Sequence, residues 1–341
     1  MKPWPNMVEA LAAWQMMRAA GVSRLDQLKH MRAHYPRLAD ITTWKGVEYV
    51  MQQTAMELEL TNRLPEVPPA SLHYHEEVPE LRLPFEPHLA VLSDAHASAH
   101  DSRGVALFLK TVEALRIPAV VVNGDLFDNA YLGHGGVRDA RAASAAENIF
   151  CGASILNAIV RSGAERIYVV QGNHDDKPLR STDGEILFPQ WWASQVAPHL
   201  GRPELFTVTH RYYCIMDAMD PQPEGTRPRH FPTRFTHQRE YGRPPLAVAS
   251  RLADKFLMNV VTGHQHHLGF SRHKSGKLMI ADAGTIQHRD GAQYKVNRDS
   301  THPEWCAGFL TLHWGEPRVW ALDSPNEWWA HNLGIGHAEL G

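Results

Sequence analysis

Four short clusters of aspartate, asparagine and histidine each follow an apolar run of this chain. They occur in "SDAH", "GDLFD", "GNHD" and "GHQH". The candidate side chains that they supply are Asp94, His96, Asp125, Asp128, Asn173, His174, Asp175, His264 and His266. Carboxylate oxygen, amide oxygen and imidazole nitrogen together suit Mn, Fe, Zn or Ni better than a thiolate site or an all-oxygen calcium site would. The clusters therefore predict a site for divalent metal ions.

The first three clusters stand at the ends of predicted strands. The apolar runs are residues 88–94, 119–125 and 166–173, and helical stretches near residues 103–115 and 138–161 separate them. Alternating strands and helices predict right-handed crossovers and a mostly parallel sheet. Sites of α/β proteins form at the carboxyl ends of parallel strands. We therefore expect the clusters to converge in space.

Further strand patterns fill the second half of the chain. "RYYCIMD", "TRFTH" and "MNVVTGH" are three candidates, and "GHQH" follows the last of them. "LMIADAGTI", "AGFLTLHW" and "PRVWALD" come next with no helix between them. This final run predicts a second, more antiparallel sheet packed on the first. The expected fold class is α/β.

In their order along the chain, the clusters resemble the motifs of the calcineurin-like metallophosphoesterases. Those motifs are DxH, GDxxD, GNH followed by Asp or Glu, an isolated His, and GHxH, and the resemblance covers about residues 88–322. DxH alone is a weak signal, but all the motifs in order, each at a strand end, leave little room for coincidence. The resemblance implies a four-layer αββα sandwich after an all-α N-terminal segment. It also implies a metal-dependent hydrolase acting on phosphoester bonds.

The resemblance further implies two divalent metal ions bridged by Asp125. The implied ligands are Asp94, His96, Asp125 and His266 for one ion, and Asp125, Asn173, His264 and the isolated histidine for the other. Mn is the expected metal, with Fe, Zn, Ni or Mg as alternatives. Two such ions can activate a bridging water, hold the phosphate oxygens and stabilise the charge of an in-line displacement.

Three motif residues are expected to act without binding the metals. The resemblance places His174 on the leaving-group side, as a proton donor or charge stabiliser. Asp175 is expected to orient His174. Asp128 is expected to hold a metal ligand in position, and a purely local capping role is its alternative.

The isolated histidine has two candidates. His237 ends the short predicted strand in "TRFTH", and a helical stretch separates it from His264. His210, in "FTVTHRYY", precedes an apolar run instead of following one. We therefore predict that His237 is the ligand, with His210 as the alternative.

The residues beside the motifs bear on the substrate. Protein phosphatases of this superfamily carry Arg directly after GDxxD and normally Glu after GNH, whereas this chain has Asn129 and Asp175 there. "NGDLFD" and "GNHD" look more like the nuclease subunits of double-strand-break repair complexes and the phage and bacterial phosphoesterases related to them. We therefore expect a phosphodiesterase that acts on nucleic acid or nucleotides. The alternatives are a phosphomonoesterase or a pyrophosphatase acting on a small nucleotide conjugate, and, in another class, a DNA-binding or assembly module that keeps the scaffold.

Other polar and aromatic residues near the motifs are expected to be structural or solvated. Solvated charges are predicted for Arg138, Arg141, Lys177 and Arg180. Core or covering positions, in preference to base-stacking platforms, are predicted for Trp191, Trp192, Trp328 and Trp329.

Composition restricts the class of protein further. The 341 residues are 43% hydrophobic and carry a net charge of −3, which gives no global attraction to nucleic acid. The cysteines Cys151, Cys214 and Cys306 are odd in number and scattered, which predicts free thiols in a reducing compartment. Neither a signal peptide nor a membrane-spanning run fits the sequence. We therefore expect a cytoplasmic protein with no membrane partner.

The chain divides into three predicted segments. Residues 1–62 form a helical segment, residues 63–87 a linker or extended arm rich in Pro and Glu, and residues 88–341 the catalytic domain. Between Arg18 and Lys45 there are six Lys or Arg against two Asp, a balance of +4. This basic unit fits a helix-turn-helix that contacts DNA phosphates. A helical cap that packs on the catalytic domain or mediates self-association is the alternative.

Overall fold

A computed structural model describes residues 7–35, 38–52, 80–132, 143–180, 186–209, 211–218, 231–238, 240, 242, 244–288, 305–336 and 338. His210, Arg138 and Arg141 lie outside these ranges. Contacts divide the chain into two units, Met1–Glu77 and Val78–Gly341. The segment boundaries predicted from the sequence stay a prediction. No helix within the described ranges is long and apolar enough to cross a membrane.

The first unit contains three helices in its described part. They are α1 (Met7–Ala19), α2 (Arg24–His34) and α3, described over residues 44–52. Gly21, with a φ of 69°, turns the chain between α1 and α2, and the Ser23 side chain caps α2 by accepting the Asp26 N–H. The buried side chains of this unit are Ala10, Leu11, Trp14, Met31, Leu38, Val47 and Met51. The unit therefore has an apolar core of its own.

The second unit contains twelve named strands and six named helices in its described part. The strands are β1 (Arg82–Leu83), β2 (His88–Leu92), β3 (Ala119–Asn123), β4 (Arg166–Val170), β5 (Phe206–Val208), β6 (Tyr213–Met216), β7 (Thr233–Thr236), β8 (Asn259–Thr262), β9 (Leu268–Arg272), β10 (Met279–Ala283), β11 (Gly308–His313) and β12 (Glu316–Ala321). The helices are α4 (Ser102–Ala114), α5 (Ala145–Arg161), α6 (Lys177–Arg180), α7 (Phe188–Gln195), α8 (Ala247–Phe256) and α9 (Asn326–Leu333). Asp101 caps α4, and Ser144 with Glu147 forms a capping box at α5.

The strands form two six-stranded mixed sheets. The order in one sheet is β12–β11–β2–β3–β4–β5, with β2 to β5 parallel and with β11 antiparallel to both β2 and β12. The order in the other is β1–β6–β7–β8–β10–β9, with β7, β8 and β10 parallel. The predicted parallel strands with helical crossovers are therefore confirmed.

Apolar side chains divide the second unit into layers. One core lies between the sheets and includes Val91, Val121, Phe235 and Val261. A second core, called the outer core below, lies between the other face of the first sheet and helices such as α4 and α5. A third core lies between the second sheet and α8. Helix, sheet, sheet and helix layers therefore follow one another, as expected for an αββα sandwich.

The terminal strands differ from the prediction. β11 and β12 are predicted in the second sheet, but they extend the first sheet beyond β2, the outermost of its parallel strands. Phe309 of β11 enters the outer core, whereas Leu310 and Leu312 enter the core between the sheets. The absence of a helix between these two segments correctly predicted that β11 and β12 pair as antiparallel neighbours. The local sequence pattern does not specify which edge of which sheet such a pair extends.

The tryptophans predicted as core residues are buried or packed against the core. Trp191, Trp192 and Trp329 belong to the outer core, and Trp328 packs against it. That prediction is confirmed.

Candidate metal centre

The loops that follow the parallel strands carry the predicted ligands. Asp94 and His96 follow β2, Asp125 follows β3, and backbone hydrogen bonds join these two loops. The N–H of Asp94 donates to the Gly124 carbonyl at 3.1 Å, and the N–H of His96 to the Asp125 carbonyl at 2.9 Å. The remaining predicted ligands follow β4, β7 and β8: Asn173, His237, His264 and His266.

One group of candidate ligands combines Asp94, His96 and His266, all of them buried. The Asp94 Oδ1 atom lies 3.0 Å from His266 Nε2 and 4.0 Å from His96 Nε2. These residues are the ones predicted for the first ion, apart from the bridging aspartate.

A second group combines Asp125, His237 and His264. Asp125 Oδ2 lies 3.1 Å from His237 Nε2 and 3.9 Å from His96 Nε2, so this oxygen is near a ligand of each group. The same His237 nitrogen is 3.8 Å from Asp94 Oδ1, which joins the two groups. This placement is what a bridging aspartate requires.

In Asp94 and in Asp125, one carboxylate oxygen accepts hydrogen bonds from neighbouring residues, and the other oxygen faces the candidate metal ligands. Asp94 Oδ2 accepts the Ser93 hydroxyl at 2.5 Å and the His264 N–H at 3.0 Å. Asp125 Oδ1 accepts the His174 N–H at 2.7 Å. Hydrogen bonds to these two side chains therefore connect the loops that carry the candidate ligands.

Two of the histidines are oriented in the same way. His237 Nδ1 donates to the Asn123 carbonyl at 2.7 Å, and His96 Nδ1 lies 3.1 Å from Asp128 Oδ1. Donation from Nδ1 leaves the Nε2 lone pair of each neutral ring directed at the cluster, which is the usual arrangement of a metal-binding histidine.

Several buried polar atoms at this place have no hydrogen-bond partner within the described part of the chain. They are Asp94 Oδ1, His96 Nε2, Asn173 Oδ1 and His237 Nε2. All are electron-pair donors of the kind that ligate divalent ions, and burying them without a partner costs free energy. Two metal ions would satisfy them, so the residues present fit a dinuclear metal site.

The backbone is strained at five of the predicted metal ligands. Left-handed φ angles, which are uncommon outside glycine, occur at Asp94 (51°), His96 (47°), Asp125 (49°), His264 (76°) and His266 (59°). Gly172 lies so close to Asp125 that a Cβ would overlap the backbone N and Oδ1 of that residue. Such strain persists where the surrounding structure requires particular side-chain directions.

The electrostatics of the cluster favour bound cations. Burial alone would raise the pKa of Asp125, but His237, His174 and His96 outweigh burial and hold that pKa well below its usual range. Burial would lower the pKa of His237, but Asp125 and Asp94 raise it to about 10. Carboxylates that stabilise a proton here would also stabilise a divalent ion, and binding of the ion would release that proton.

A model of the calcineurin-like phosphoesterase family matches residues 87–282 of the chain. The chain belongs to this family. It is a metal-dependent phosphoesterase whose buried His and Asp groups suit a dinuclear metal site.

Solved structures of low sequence identity are similar to this calcineurin-like phosphoesterase. Vacuolar protein sorting 29 from Cryptosporidium parvum is 14% identical, with 70% of this chain and 97% of that chain covered and a TM-score of 0.36. The phosphoesterase Yfce from E. coli is 15% identical, with 66% and 87% covered and a TM-score of 0.33. A dimetal phosphatase from Danio rerio is 11% identical, with 69% and 99% covered and a TM-score of 0.35. No curated protein sequence matches the chain.

The imidazole of the histidine expected at the leaving group contacts Asp128. His174 Nδ1 lies 2.8 Å from the Asp128 carbonyl oxygen and 3.2 Å from Asp128 Oδ1. Asp175, which was expected to orient His174, instead accepts the Phe127 N–H at 2.9 Å and the Gly172 N–H at 2.8 Å. Neighbouring residues of a turn point in different directions, so adjacency in sequence did not indicate the partner.

The two aspartates differ in charge as well as in position. Burial, followed by the nearby charge of Asp125, raises the pKa of Asp175 to about 7. Burial opposes ionisation of Asp128 too, but hydrogen bonds from His174 and His96 outweigh it and lower its pKa. Asp128 therefore contacts a candidate ligand and the candidate catalytic histidine through one ionised carboxylate.

Of the two candidates for the isolated histidine ligand, the structure describes only His237. His237 lies in the second group of ligands, fully buried. His210 is outside the described residues, so the choice between the two stays a prediction.

The sequence predicts a solvated charge for both Lys177 and Arg180, but the structure places their side chains in different environments. Arg180 is an exposed side chain paired with Asp176 at 2.9 Å. Lys177 is partly buried, and its Nζ lies 2.9 Å from His174 Nδ1. The spacing of three residues from His174 was the available signal, because such residues share one side of a helical turn.

Removal of metal with a chelator is expected to lower the melting temperature of this phosphoesterase. Without cations, Asp94 and Asp125 place two buried carboxylates close together. A ligand at about 100 times its Kd stabilises by about 2.7 kcal/mol, which raises the melting temperature of a protein of this size by about 4 °C. Differential scanning fluorimetry with Mn and with chelator measures the shift. An identical melting temperature in both would contradict the metal site.

Proposed function

We propose that this calcineurin-like phosphoesterase hydrolyses phosphodiester bonds, with nucleic acid or nucleotides as its preferred substrates. Mn is the proposed metal. The observation that carries the proposal is the position of Asp125 Oδ2, 3.1 Å from His237 Nε2 and 3.9 Å from His96 Nε2. That carboxylate would join the two ligand groups into one dinuclear centre.

The residues have separate roles in the proposed reaction. One ion would be held by Asp94, His96, Asp125 and His266, and the other by Asp125, Asn173, His237 and His264. When bound, two such ions supply an activated water and stabilise the charge on the phosphoryl oxygens. His174, held by Asp128, would stand beside the leaving oxygen and stabilise its charge or protonate it.

Asn129 supports a substrate other than a phosphoprotein. It occupies the position after GDxxD where protein phosphatases of the superfamily carry arginine. Its side chain is buried, donating to the His174 carbonyl at 3.0 Å and accepting from Asn148 at 2.8 Å. This side chain is committed to supporting the loop that carries His174.

Trp305 supports a substrate with an aromatic part. Its ring centroid lies 4.3 Å from that of His266, and the residue keeps part of its surface exposed. An indole ring next to a candidate metal ligand suits a nucleobase, because base–aromatic stacking stabilises nucleic acid on protein surfaces.

Hydrolysis of matched esters tests the proposal. With Mn, we expect turnover of bis-(p-nitrophenyl) phosphate to exceed that of p-nitrophenyl phosphate about tenfold or more, a difference of about 1.4 kcal/mol in transition-state binding. Chelator should abolish both activities. Single- and double-stranded DNA and a cyclic nucleotide complete the series. Higher monoesterase activity would favour the phosphomonoesterase alternative, and release of phosphate from nucleotide conjugates alone would favour a pyrophosphatase.

The N-terminal unit offers a separate test of a nucleic-acid partner. α2 exposes Arg24, Lys29 and Arg32, which fits the helix-turn-helix alternative, although a helical cap remains the other alternative. The full-length variant Lys29→Glu should weaken DNA cleavage and leave hydrolysis of the p-nitrophenyl esters unchanged if α2 contacts DNA. A DNA-binding or assembly module without turnover would show DNA binding and no hydrolysis of any ester.

A cytoplasmic location is part of the proposal. The three cysteines Cys151, Cys214 and Cys306 are free, which suits a reducing compartment.

A further inference from the structure

A pair of histidines lies at the end of the first sheet that is opposite the candidate metal centre. His88 begins β2 and His313 ends β11, and the two residues are partners across these antiparallel strands. A strand rises about 3.3 Å per residue, so the length of β2 separates His88 from Asp94 by roughly 15–20 Å. The pair therefore lies apart from the candidate metal centre.

The two imidazole rings approach each other through the same kind of nitrogen. The Nδ1 atoms of His88 and His313 are 3.0 Å apart, and the ring centroids are 4.6 Å apart with the ring planes tilted by 53°. Two nitrogens that bind one Zn or Ni ion at about 2.0–2.1 Å, with an angle of about 90–110° at the ion, are about 2.8–3.4 Å apart. The observed separation of the Nδ1 atoms falls within that range.

A tight turn holds the two histidines next to each other. Trp314 and Gly315 connect β11 to β12, and their φ angles of 53° and 79° are both positive, as in a two-residue type I′ hairpin. The Trp314 N–H donates to the Pro87 carbonyl at 2.7 Å, which ties this turn to the residue before His88. The backbone of the pair is therefore organised before any ligand binds, which lowers the entropic cost of binding one.

Water is available to complete the coordination of an ion held by this pair. His313 is exposed and His88 is half-buried. The register places Glu316 of β12 beside His313, but the Glu316 carboxylate pairs with Arg272 at 2.5 Å. Two imidazoles and water form a nitrogen-containing set that suits Zn, Ni or Cu better than Mn or Mg.

A hydrogen bond between the rings is the alternative explanation of their contact. Two nitrogen lone pairs repel at this distance, so without a metal one ring has to donate its Nδ1–H to the other. Such a bond adds little stability where water offers the same bond to each ring. A divalent ion would instead accept both lone pairs at once.

We propose that His88 and His313 bind one divalent ion, zinc or a related late transition metal, at a site separate from the dinuclear centre. Each ring would bind through Nδ1 and carry its proton on Nε2. The ion would join β2 to the hairpin of β11 and β12, two segments that are 225 residues apart in sequence. A link between such distant segments would stabilise the folded chain.

The zinc content of the full chain, prepared without an affinity tag, tests the proposal. Wild-type protein, His88→Gln and His313→Gln are dialysed against the same series of buffered free zinc concentrations, and bound zinc is counted by mass spectrometry. Wild-type protein should bind one more zinc ion than either variant, because each variant keeps only one of the two imidazoles. Equal zinc content in all three proteins would overturn the proposal.

A matched control makes the same chemical change elsewhere on the surface. His199 is an exposed histidine that follows α7, and His199→Gln should keep the wild-type zinc content. Ester hydrolysis should be unchanged in all the variants, because the pair is remote from the dinuclear centre. Loss of hydrolysis together with zinc would show a disturbed dinuclear centre and overturn the separate site. The difference in zinc content does not depend on which ester the protein hydrolyses, so failure of the proposed function would leave it in place.

Thermal unfolding provides a second readout. With chelator, wild-type protein and His88→Gln should melt at the same temperature, because the substitution then removes only a solvent-accessible hydrogen bond. With zinc at about 10–100 times the Kd of the site, wild-type protein should melt about 2–4 °C above His88→Gln. An equal zinc-dependent shift in both proteins would contradict a stabilising ion at this pair.

Discussion

Replacing Asp125 with alanine is expected to abolish turnover and to remove both metal ions. Its Oδ2 lies near His96 of one ligand group and His237 of the other, so one substitution removes a ligand from each ion. Its Oδ1 also holds the His174 N–H at 2.7 Å, so the loop after β4 loses an anchor. Turnover should fall about 10³-fold or more, because bound metal supplies several kcal/mol of transition-state stabilisation.

Metal analysis by mass spectrometry, together with ester hydrolysis, measures this result. Asp254→Ala is a suitable control, because that carboxylate pairs with Lys274 outside the cluster. The control should retain wild-type metal content and activity. Asp125→Ala with two bound ions, or with wild-type turnover, would show that Asp125 does not bridge the centre.

Replacing His174 with alanine is expected to lower kcat about 10²- to 10⁴-fold, the range for a lost acid–base group. Metal binding should survive, for a structural reason. The contact of this residue with Asp125 is made by its backbone N–H, which alanine keeps. The imidazole contacts Asp128 and belongs to neither predicted ligand set, so its loss removes no predicted ligand.

The same two measurements separate binding from chemistry. His174→Ala should contain the wild-type amount of metal and show a lower kcat with both p-nitrophenyl esters. Loss of metal in this variant would make His174 a ligand or a structural support. Unchanged kcat with metal bound would remove it from the reaction.

The local parts of the site could be predicted from the sequence. Each motif is a few residues at the end of a strand, and apolar runs such as those before Asp94 and Asp125 mark those strands without tertiary information. Parallel strands separated by helices place their carboxyl ends at one edge, so convergence of the motifs followed from topology alone. The structure brings Asp94, His96 and His266 together in one group, and Asp125, His237 and His264 in another.

Contacts between loops could not be predicted in this way. Asp128, not Asp175, holds the His174 ring, and Lys177 reaches the same ring from the next turn. Side-chain directions in these loops depend on backbone angles such as the φ of 49° at Asp125, and residue spacing does not specify them.

The sequence by itself determined the alternating strands and helices around β2, β3 and β4, the motif residues at the strand ends and the chemistry of a metal-dependent phosphoesterase, because these are encoded within single short segments. Only the tertiary structure decided which sheet β11 and β12 extend, which aspartate orients His174, and that Lys177 enters the site. Those features depend on which distant segments pack together. Packing is set by the whole core and by cross-loop hydrogen bonds, so no single segment specifies it.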